Sequence, residues 1–298
     1  MGFSVILWEK GCEIMTQNQA YKKGFIPYAL GAFLIGIVGG FSTVLGPAFT
    51  RDMGIPYNNT TWTALAQAMS TASCAPILGK VGDMIGRKRT LLLGIAVFTL
   101  GNILSALATS LFFMIGARFI VGIGTAAMSP VIMAYIASEF PRDRIAKGFA
   151  LYMLLSSASV IPGPSIGGII VSAYGWRFLM WVCVAVCALV LGVSLQATRN
   201  ETSQKKPLEH FDRKGAVWVP IFFSLLLCIP SFGQNIGWTS IPFLFVLVAA
   251  LFSLVFLVQV ERKAEAPILS GDFMKRKVFV LSILGRATCP RNSCCATR

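Results

Sequence analysis

Long apolar stretches separated by short polar segments dominate the 298-residue chain. Eight of them run for roughly 17–25 residues, which is enough for a helix to cross a hydrocarbon layer about 30 Å thick. A backbone in lipid must satisfy its hydrogen bonds internally, and the runs lack the alternation of membrane β-strands, so each is predicted to be a helix. The predicted helices span residues 27–49, 62–78, 91–107, 112–137, 149–173, 178–196, 216–232 and 241–260.

Composition and charge support a membrane protein. Hydrophobic residues make up 55% of the chain and charged residues 13%, against about 45–50% and 25% in soluble domains. The net charge is +14, but twenty of the basic residues fall in the segments on one side of the predicted helices, against only Arg51 and Arg177 in the loops on the other. The positive-inside rule therefore predicts a multi-pass cell-membrane protein with a cytoplasmic amino terminus, and nucleic-acid binding is not expected.

The polar segments divide the chain into five parts. We expect a cytoplasmic segment at 1–26, a six-helix bundle at 27–197, a charged cytoplasmic linker at 198–215, two additional helices at 216–260 and a cytoplasmic segment at 261–298. In the last part an apolar run at 278–285 stops at Arg286, too short for a crossing. The residues that follow are typical neither of a ninth helix nor of an ordinary loop, and we expect a chain that changed frame or was truncated; a short cytoplasmic tail is the alternative.

The connection between the second and third predicted helices, residues 79–90, combines glycines with charges. Gly79 and Gly86 permit a tight turn and a close backbone approach. Asp83 is the single acid among four bases, and it can pair with Arg87 or face a helix amino terminus. A basic loop that only sets orientation is the alternative interpretation.

The GxxxDxxGRKR spacing of this connection resembles the signature of the major facilitator superfamily. Similar motifs continue in order: Arg118 followed by Gly122 in the fourth helix, a basic segment at 140–144, and a fifth-helix motif resembling that of the superfamily's antiporters. The residues of that last motif are Gly163, Pro164, Gly167 and Gly168. Together they cover most of residues 27–200. The two additional helices look like those that separate the halves in the fourteen-helix drug:proton antiporter group.

The resemblance implies secondary active export of small amphipathic compounds by alternating access, with proton coupling left open. Such transporters place the substrate between two six-helix bundles, and this chain supplies one bundle. A missing carboxy-terminal bundle, or self-association of this chain, would complete the two-bundle transporter. The alternative is a truncated, non-transporting membrane protein or a half-transporter that needs a partner bundle.

A charge at the depth of Arg118 is costly in lipid, so we expect the side chain to face the bundle interior and find a partner, snorkelling being the alternative. The resemblance implies a role in proton coupling. However, Phe41 stands where fourteen-helix exporters commonly carry an Asp, and no acid lies deep in any predicted helix. Gln67, Asn102 and Tyr135 remain as neutral cavity candidates, with ordinary interhelical hydrogen bonding equally open.

The glycines and proline of the fifth helix are expected to permit a bend and tight packing. The resemblance implies that this kinked helix helps to set antiport exchange. The HExxH signature and paired intramembrane carboxylates are absent from the sequence, so we expect no enzyme, catalytic residue or metal site. The GxGxxA pattern at 122–127 lies within a spanning helix rather than after a strand, so no cofactor is expected.

Overall fold

The computed structural model describes residues 2–54, 56–197, 213–236 and 240–263, and every regular element in those ranges is a helix. The helices are α1 Gly2–Met53, α2 Tyr57–Ile85, α3 Arg87–Ala106, α4 Leu111–Glu139, α5 Ile145–Val160, α6 Pro162–Tyr174, α7 Trp176–Ala197, α8 Arg213–Ile236 and α9 Ile241–Lys263. Residues 198–212 of the predicted 198–215 linker, the apolar run at 278–285 and the tail after it lie outside the described residues, whereas residues 213–215 already belong to α8.

Among the described residues, five helical segments are long and apolar enough to cross a membrane: Gly24–Asp52, Arg87–Ala106, Leu111–Glu139, Ile145–Tyr174 and Trp176–Gln196. They coincide with the first and the third to sixth predicted helices. Helix α2, with 29 residues, is as long as α4 but is richer in Ser, Thr and Gln. Helices α8 and α9 contain shorter apolar stretches, Trp218–Ile229 and Leu244–Leu257. The predicted all-α membrane fold is confirmed.

The bundle is organised around α4, which packs along α2 on one side and α3 on the other. Helix α1 packs against α5, α6 and α7, and α7 also contacts α3. The buried core draws on Tyr28, Phe98, Ile132 and Leu179, from α1, α3, α4 and α7 respectively. Four helices thus supply most of one apolar interior, to which α5 adds Tyr152, and α2 lies beside it.

The connection between α2 and α3 is much shorter than the predicted loop at 79–90. Helix α2 continues to Ile85 and α3 begins at Arg87, so Gly86, with φ 108°, is the whole turn. Gly79 lies within α2, where an added Cβ would stand 3.3 Å from Cβ of Pro130 in α4. The expectation that Gly79 shapes a loop is therefore wrong: its missing side chain lets α2 and α4 approach each other.

The fifth span is divided into two helices within its motif, although Ile161 between them keeps helical dihedrals of φ −56° and ψ −47°. Helix α5 ends at Val160 and α6 begins at Pro162. Prolines 162 and 164 have no N–H to donate to the helical ladder. Gly163 lies directly against the backbone of Gly40 in α1, leaving no space for a Cβ. The interruption and the close approach of α1 thus occur together.

Helices α8 and α9 pack against each other, and α8 also packs against α2. The buried Ser73 hydroxyl of α2 donates to the carbonyl oxygen of Pro220 at 3.1 Å and lies 3.0 Å from the hydroxyl of Ser224. One turn away, the sulfur of Cys228 lies 3.9 Å from that of Met69. The α8–α9 pair is therefore docked on the bundle through α2.

Candidate functional site

The site is centred on Arg118, a charged side chain inside the helix bundle. Helix α4 begins after Ser110, whose hydroxyl accepts a hydrogen bond from the backbone N–H of Phe113. Arg118 lies seven residues into the helix, about 10 Å along its axis, and is 2% exposed. The prediction that it faces the bundle interior is confirmed, and a snorkelling side chain is excluded by this burial.

Two neutral groups contact the guanidinium. Nη1 of Arg118 donates to Oε1 of Gln67 in α2 at 3.5 Å, and Nη2 lies 3.7 Å from the sulfur of Met180 in α7. Both distances are at or beyond the long end of a good hydrogen bond, and a thioether is a weak acceptor. Arg118 thus bridges α2 and α7 without a carboxylate partner among the described residues.

Helix α2 is held beside Arg118 by its hydroxyl side chains. Ser70 donates to the carbonyl oxygen of Phe119 at 2.6 Å, and Thr71 donates to that of Gly122 at 3.1 Å. An added Cβ at Gly122 would fall on the Ser70 hydroxyl and the backbone of Gln67. The absence of a side chain at Gly122 therefore brings α2 close enough for Gln67 to reach Arg118.

The other cavity candidates lie elsewhere. Asn102 in α3 is fully buried; its amide nitrogen donates to the carbonyl oxygen of Phe98 at 2.8 Å, and its amide oxygen has no hydrogen-bond partner among the described residues. Tyr135 lies seventeen residues beyond Arg118 in α4, about 25 Å along the axis. Its ring stacks on Tyr28, with centroids 3.9 Å apart. Of the three candidates, only Gln67 contacts the arginine.

A polar network joins three helices at the end of the bundle that is predicted to face inward. Oδ1 of Asp83 lies 3.5 Å from Nε of Arg87, which confirms the expected pairing across the Gly86 turn. Arg87 also donates to the hydroxyl of Ser138 near the end of α4. The network therefore ties the α2–α3 turn to α4.

At the opposite end of the bundle, Arg177 has an ion-pair partner, a hydrogen-bond acceptor and an aromatic ring beside it. Oδ2 of Asp52, at the end of α1, accepts hydrogen bonds from Nε1 of Trp176 at 2.7 Å and from Nη1 of Arg177 at 2.9 Å. Nη2 of Arg177 donates to the carbonyl oxygen of Ala108 at 3.4 Å. Its guanidinium carbon also lies 4.4 Å from the Trp176 ring centroid. Asp52 is thus engaged by α7 at the bundle end.

The two remaining antiporter-motif glycines differ in surroundings. An added Cβ at Gly167 would stand 2.9 Å from the Phe41 ring, whereas one at Gly168 would meet nothing within 4 Å. Gly167 is therefore a packing position against α1, and Gly168 lies on an open surface. Pro164 shares α6 with them, on the far side of the break at Ile161.

Sequence reasoning missed several residues of the site. Ser70, Thr71, Met180 and Ser138 were not singled out, because an isolated Ser, Thr or Met in an apolar run does not reveal which helix it faces. The one available signal is the clustering of Gln67, Ser70 and Thr71 on neighbouring turns of α2, the most polar of the six bundle helices. Such clustering is typical of a helix surface that bonds another helix.

Together the fold and the site define a multi-pass helical membrane protein whose bundle encloses a charged side chain. The profile of the Major Facilitator Superfamily matches residues 28–271. The chain therefore belongs to the Major Facilitator Superfamily.

Curated relatives extend this assignment. The chain is 26% identical over 267 residues to the multidrug resistance protein Stp of Mycobacterium tuberculosis, covering 89% of this chain and 49% of that protein. It is 29% identical over 231 residues to multidrug resistance protein 3 of Bacillus subtilis, covering 76% of this chain and 44% of that protein. The chain thus spans about half the length of the curated relatives it matches.

Solved structures share the fold at low sequence identity. The peptide transporter POT in complex with sulfate superposes with a TM-score of 0.59 at 14% identity, over 80% of this chain and 51% of that one. The tetrameric PepTSo2 superposes with a TM-score of 0.57 at 17% identity, over 88% and 58%. These likenesses support the helical arrangement described above.

Proposed function

We propose that this chain acts in the secondary transport of small amphipathic compounds across the cell membrane, in the direction of export. It would form one of two helix bundles that rock against each other around a central substrate site. Membership of the superfamily and the relatives named as multidrug resistance proteins support this function.

The observation that carries the proposal is the burial of Arg118. A charged residue inside a membrane bundle is expensive, so it is retained where function requires it. Here it lies on α4, the helix around which the bundle packs, and contacts both α2 and α7. A movement of either helix relative to α4 would change its surroundings, which suits a residue that responds to substrate or to a coupling ion.

Glycine contacts support the mechanical part of the proposal. Gly40 and Gly163 join α1 to the interrupted fifth span, and Gly122 joins α4 to α2. Close backbone contacts of this kind let a bundle move as a rigid unit while one helix bends at its interruption. The Asp83–Arg87–Ser138 network would hold the inner end of that unit together.

Proteoliposome transport provides the test. The purified chain, and a version extended by a carboxy-terminal bundle, would be assayed for uptake of a cationic and an anionic fluorescent compound, with and without an imposed pH gradient. We expect Arg118→Gln to abolish uptake and Arg177→Gln to preserve it. Uptake by the chain alone would support a self-associating half; uptake by neither form, with either compound, would contradict transport.

Orientation is a separate part of the proposal, and it rests on the charge distribution. Single cysteines at Arg89, next to the α2–α3 turn, and at Asn59, near the start of α2, would be labelled in intact cells with a membrane-impermeant maleimide. Because both positions are exposed, access to the reagent depends on the side of the membrane. We expect labelling at 59 and protection at 89; the reverse pattern would place the amino terminus outside.

A further inference from the structure

The charge of Arg118 is not balanced by the part of the protein that the structure describes. A guanidinium carries five N–H donors and keeps its proton in proteins. Here it meets an amide oxygen at 3.5 Å and a thioether sulfur at 3.7 Å. Buried charges are normally paired, because an uncompensated one costs several kcal/mol. A side chain that is 2% exposed therefore requires a counter-charge.

The spanning segments do not provide that counter-charge. No Asp or Glu occurs at positions 14–51, 53–82, 84–138, 144–200 or 213–260 of the sequence. Asp52, at the nearer end of the bundle, is already bound by Trp176 and Arg177. Among the described residues, no acid is placed to compensate Arg118, which leaves that role to a group that enters the bundle.

The groups that now touch Arg118 are able to make room. Met180 has three rotatable bonds and a soft sulfur, so it can leave the guanidinium at low cost. The amide of Gln67 can turn its NH2 group toward the site and become a donor instead of an acceptor. After these two side-chain movements, an incoming group would meet the N–H donors of both residues.

We propose that Arg118 and Gln67 form a binding site for a monovalent anion, either chloride or the carboxylate group of a small organic compound. The guanidinium supplies the charge and the Gln67 amide supplies an additional donor, while Met180 occupies the site when the anion is absent. Binding adds the missing counter-charge and stabilises the packing of α2, α4 and α7.

Thermal unfolding of the full chain in nanodiscs tests this site. Sodium isethionate, whose bulky sulfonate serves as the reference, is replaced stepwise by chloride or by benzoate at constant ionic strength. A ligand that binds the folded state raises its stability by mass action. We expect a saturable rise of a few degrees in the unfolding midpoint with chloride, benzoate or both. A response to chloride alone assigns an inorganic anion, and a response to benzoate alone assigns an organic carboxylate.

Matched variants locate the effect. Arg118→Gln is expected to abolish the rise, and Arg177→Gln, which removes an exposed arginine from the same end of the bundle, to preserve it. Gln67→Leu retains the arginine and should shift the half-saturating anion concentration several-fold upward, so the site is testable even if Arg118→Gln does not fold.

Three results would overturn the proposal: no anion response in the unmodified chain, an equal response in Arg118→Gln, or an unchanged half-saturating concentration in Gln67→Leu. The measurement detects binding without transport. A chain that binds the anion but moves no compound would therefore contradict the proposed function alone, and transport without an anion response would contradict this site alone.

Discussion

Arg118 and Arg177 lie in the same half of the bundle, and Arg118 contacts α7, the helix that carries Arg177, yet their surroundings are opposite. Arg177 is half-exposed and has a carboxylate, a backbone carbonyl and an aromatic ring as partners. Arg118 is buried and has an amide and a thioether. At the bundle end the chain supplies the counter-charge itself, whereas inside the bundle no described residue balances the charge of Arg118. Arg177 is thus suited to a structural role and Arg118 to binding a ligand.

The largest expected effect comes from separating Arg118 from Gln67. In Gly122→Ala the new Cβ collides with Ser70 and the Gln67 backbone, so α2 must move away from α4. We expect a loss of roughly 3 kcal/mol, at the upper end for overpacking, measured by thermal unfolding in nanodiscs. Gly116→Ala in the same helix is the matched control: its Cβ meets nothing within 4 Å, so stability should not fall. Equal losses in both variants would mean that α2 does not pack closely there.

The second prediction concerns the cost of the buried charge. Replacing a buried ion pair by apolar side chains of similar volume is often neutral or stabilises a protein by about 1–4 kcal/mol, and a buried charge without an opposite charge is more costly to keep than a pair. We therefore expect Arg118→Met to unfold at a higher temperature than the unmodified chain in isethionate buffer. Arg177→Met should unfold at a lower temperature, because Asp52 loses its ion-pair partner. If Arg118→Met were the less stable of these two variants, Arg118 would be a structural residue and the contrast between the two arginines would fail.

A smaller effect is expected for the ion pair at the bundle end. Asp52→Asn removes the charge but leaves an oxygen that can accept from Nε1 of Trp176. Because Asp52 and Arg177 are both about half-exposed, a double-mutant cycle with Arg177→Gln should give a coupling energy of about 0.5 kcal/mol, weakened by added salt. A coupling energy of zero would show that Trp176 and Ala108, rather than the carboxylate, hold Arg177 in place.

An effect of similarly small size concerns how α2 is held from its other side. Ser73→Ala removes the hydroxyl that contacts Pro220 and Ser224 of α8. Interhelical hydrogen bonds in membranes average about 0.6 kcal/mol, and we expect a loss of that order. If α8 helps to position α2, the same variant should weaken anion binding at Arg118 slightly; Ser172→Ala, on the exposed side of α6, should not. Disulfide crosslinking of S73C with S224C would measure the contact directly.

Local sequence patterns were sufficient to predict the structure wherever a residue's environment depends only on its own segment of the chain. The spanning helices could be predicted from the runs of apolar residues, because the backbone of every segment in lipid must satisfy its hydrogen bonds internally. The interruption at Pro162 follows equally, since a proline removes its own hydrogen-bond donor. The pairing of Asp83 with Arg87 was anticipated because the two residues are four positions apart.

Local patterns misled where two helices meet. Gly79 was predicted to lie in a loop because glycine favours turns. Helix α2 remains helical there, and the missing side chain lets it pack closely against Pro130. Gln67, Asn102 and Tyr135 look equivalent as isolated polar residues in apolar helices. Their neighbours differ because each faces a different helix, and the distance along α4 separates Tyr135 from the arginine.

The amino-acid sequence by itself determined that this protein is a bundle of membrane helices with one charge at depth, because the hydrophobicity of each segment decides whether it enters lipid. Only the tertiary structure decided which residues surround that charge. The rotation and the register of α2 and α7 about α4 place Gln67 and Met180, and not a carboxylate, beside Arg118. Those rotations depend on glycine contacts and interhelical hydrogen bonds between residues distant in sequence.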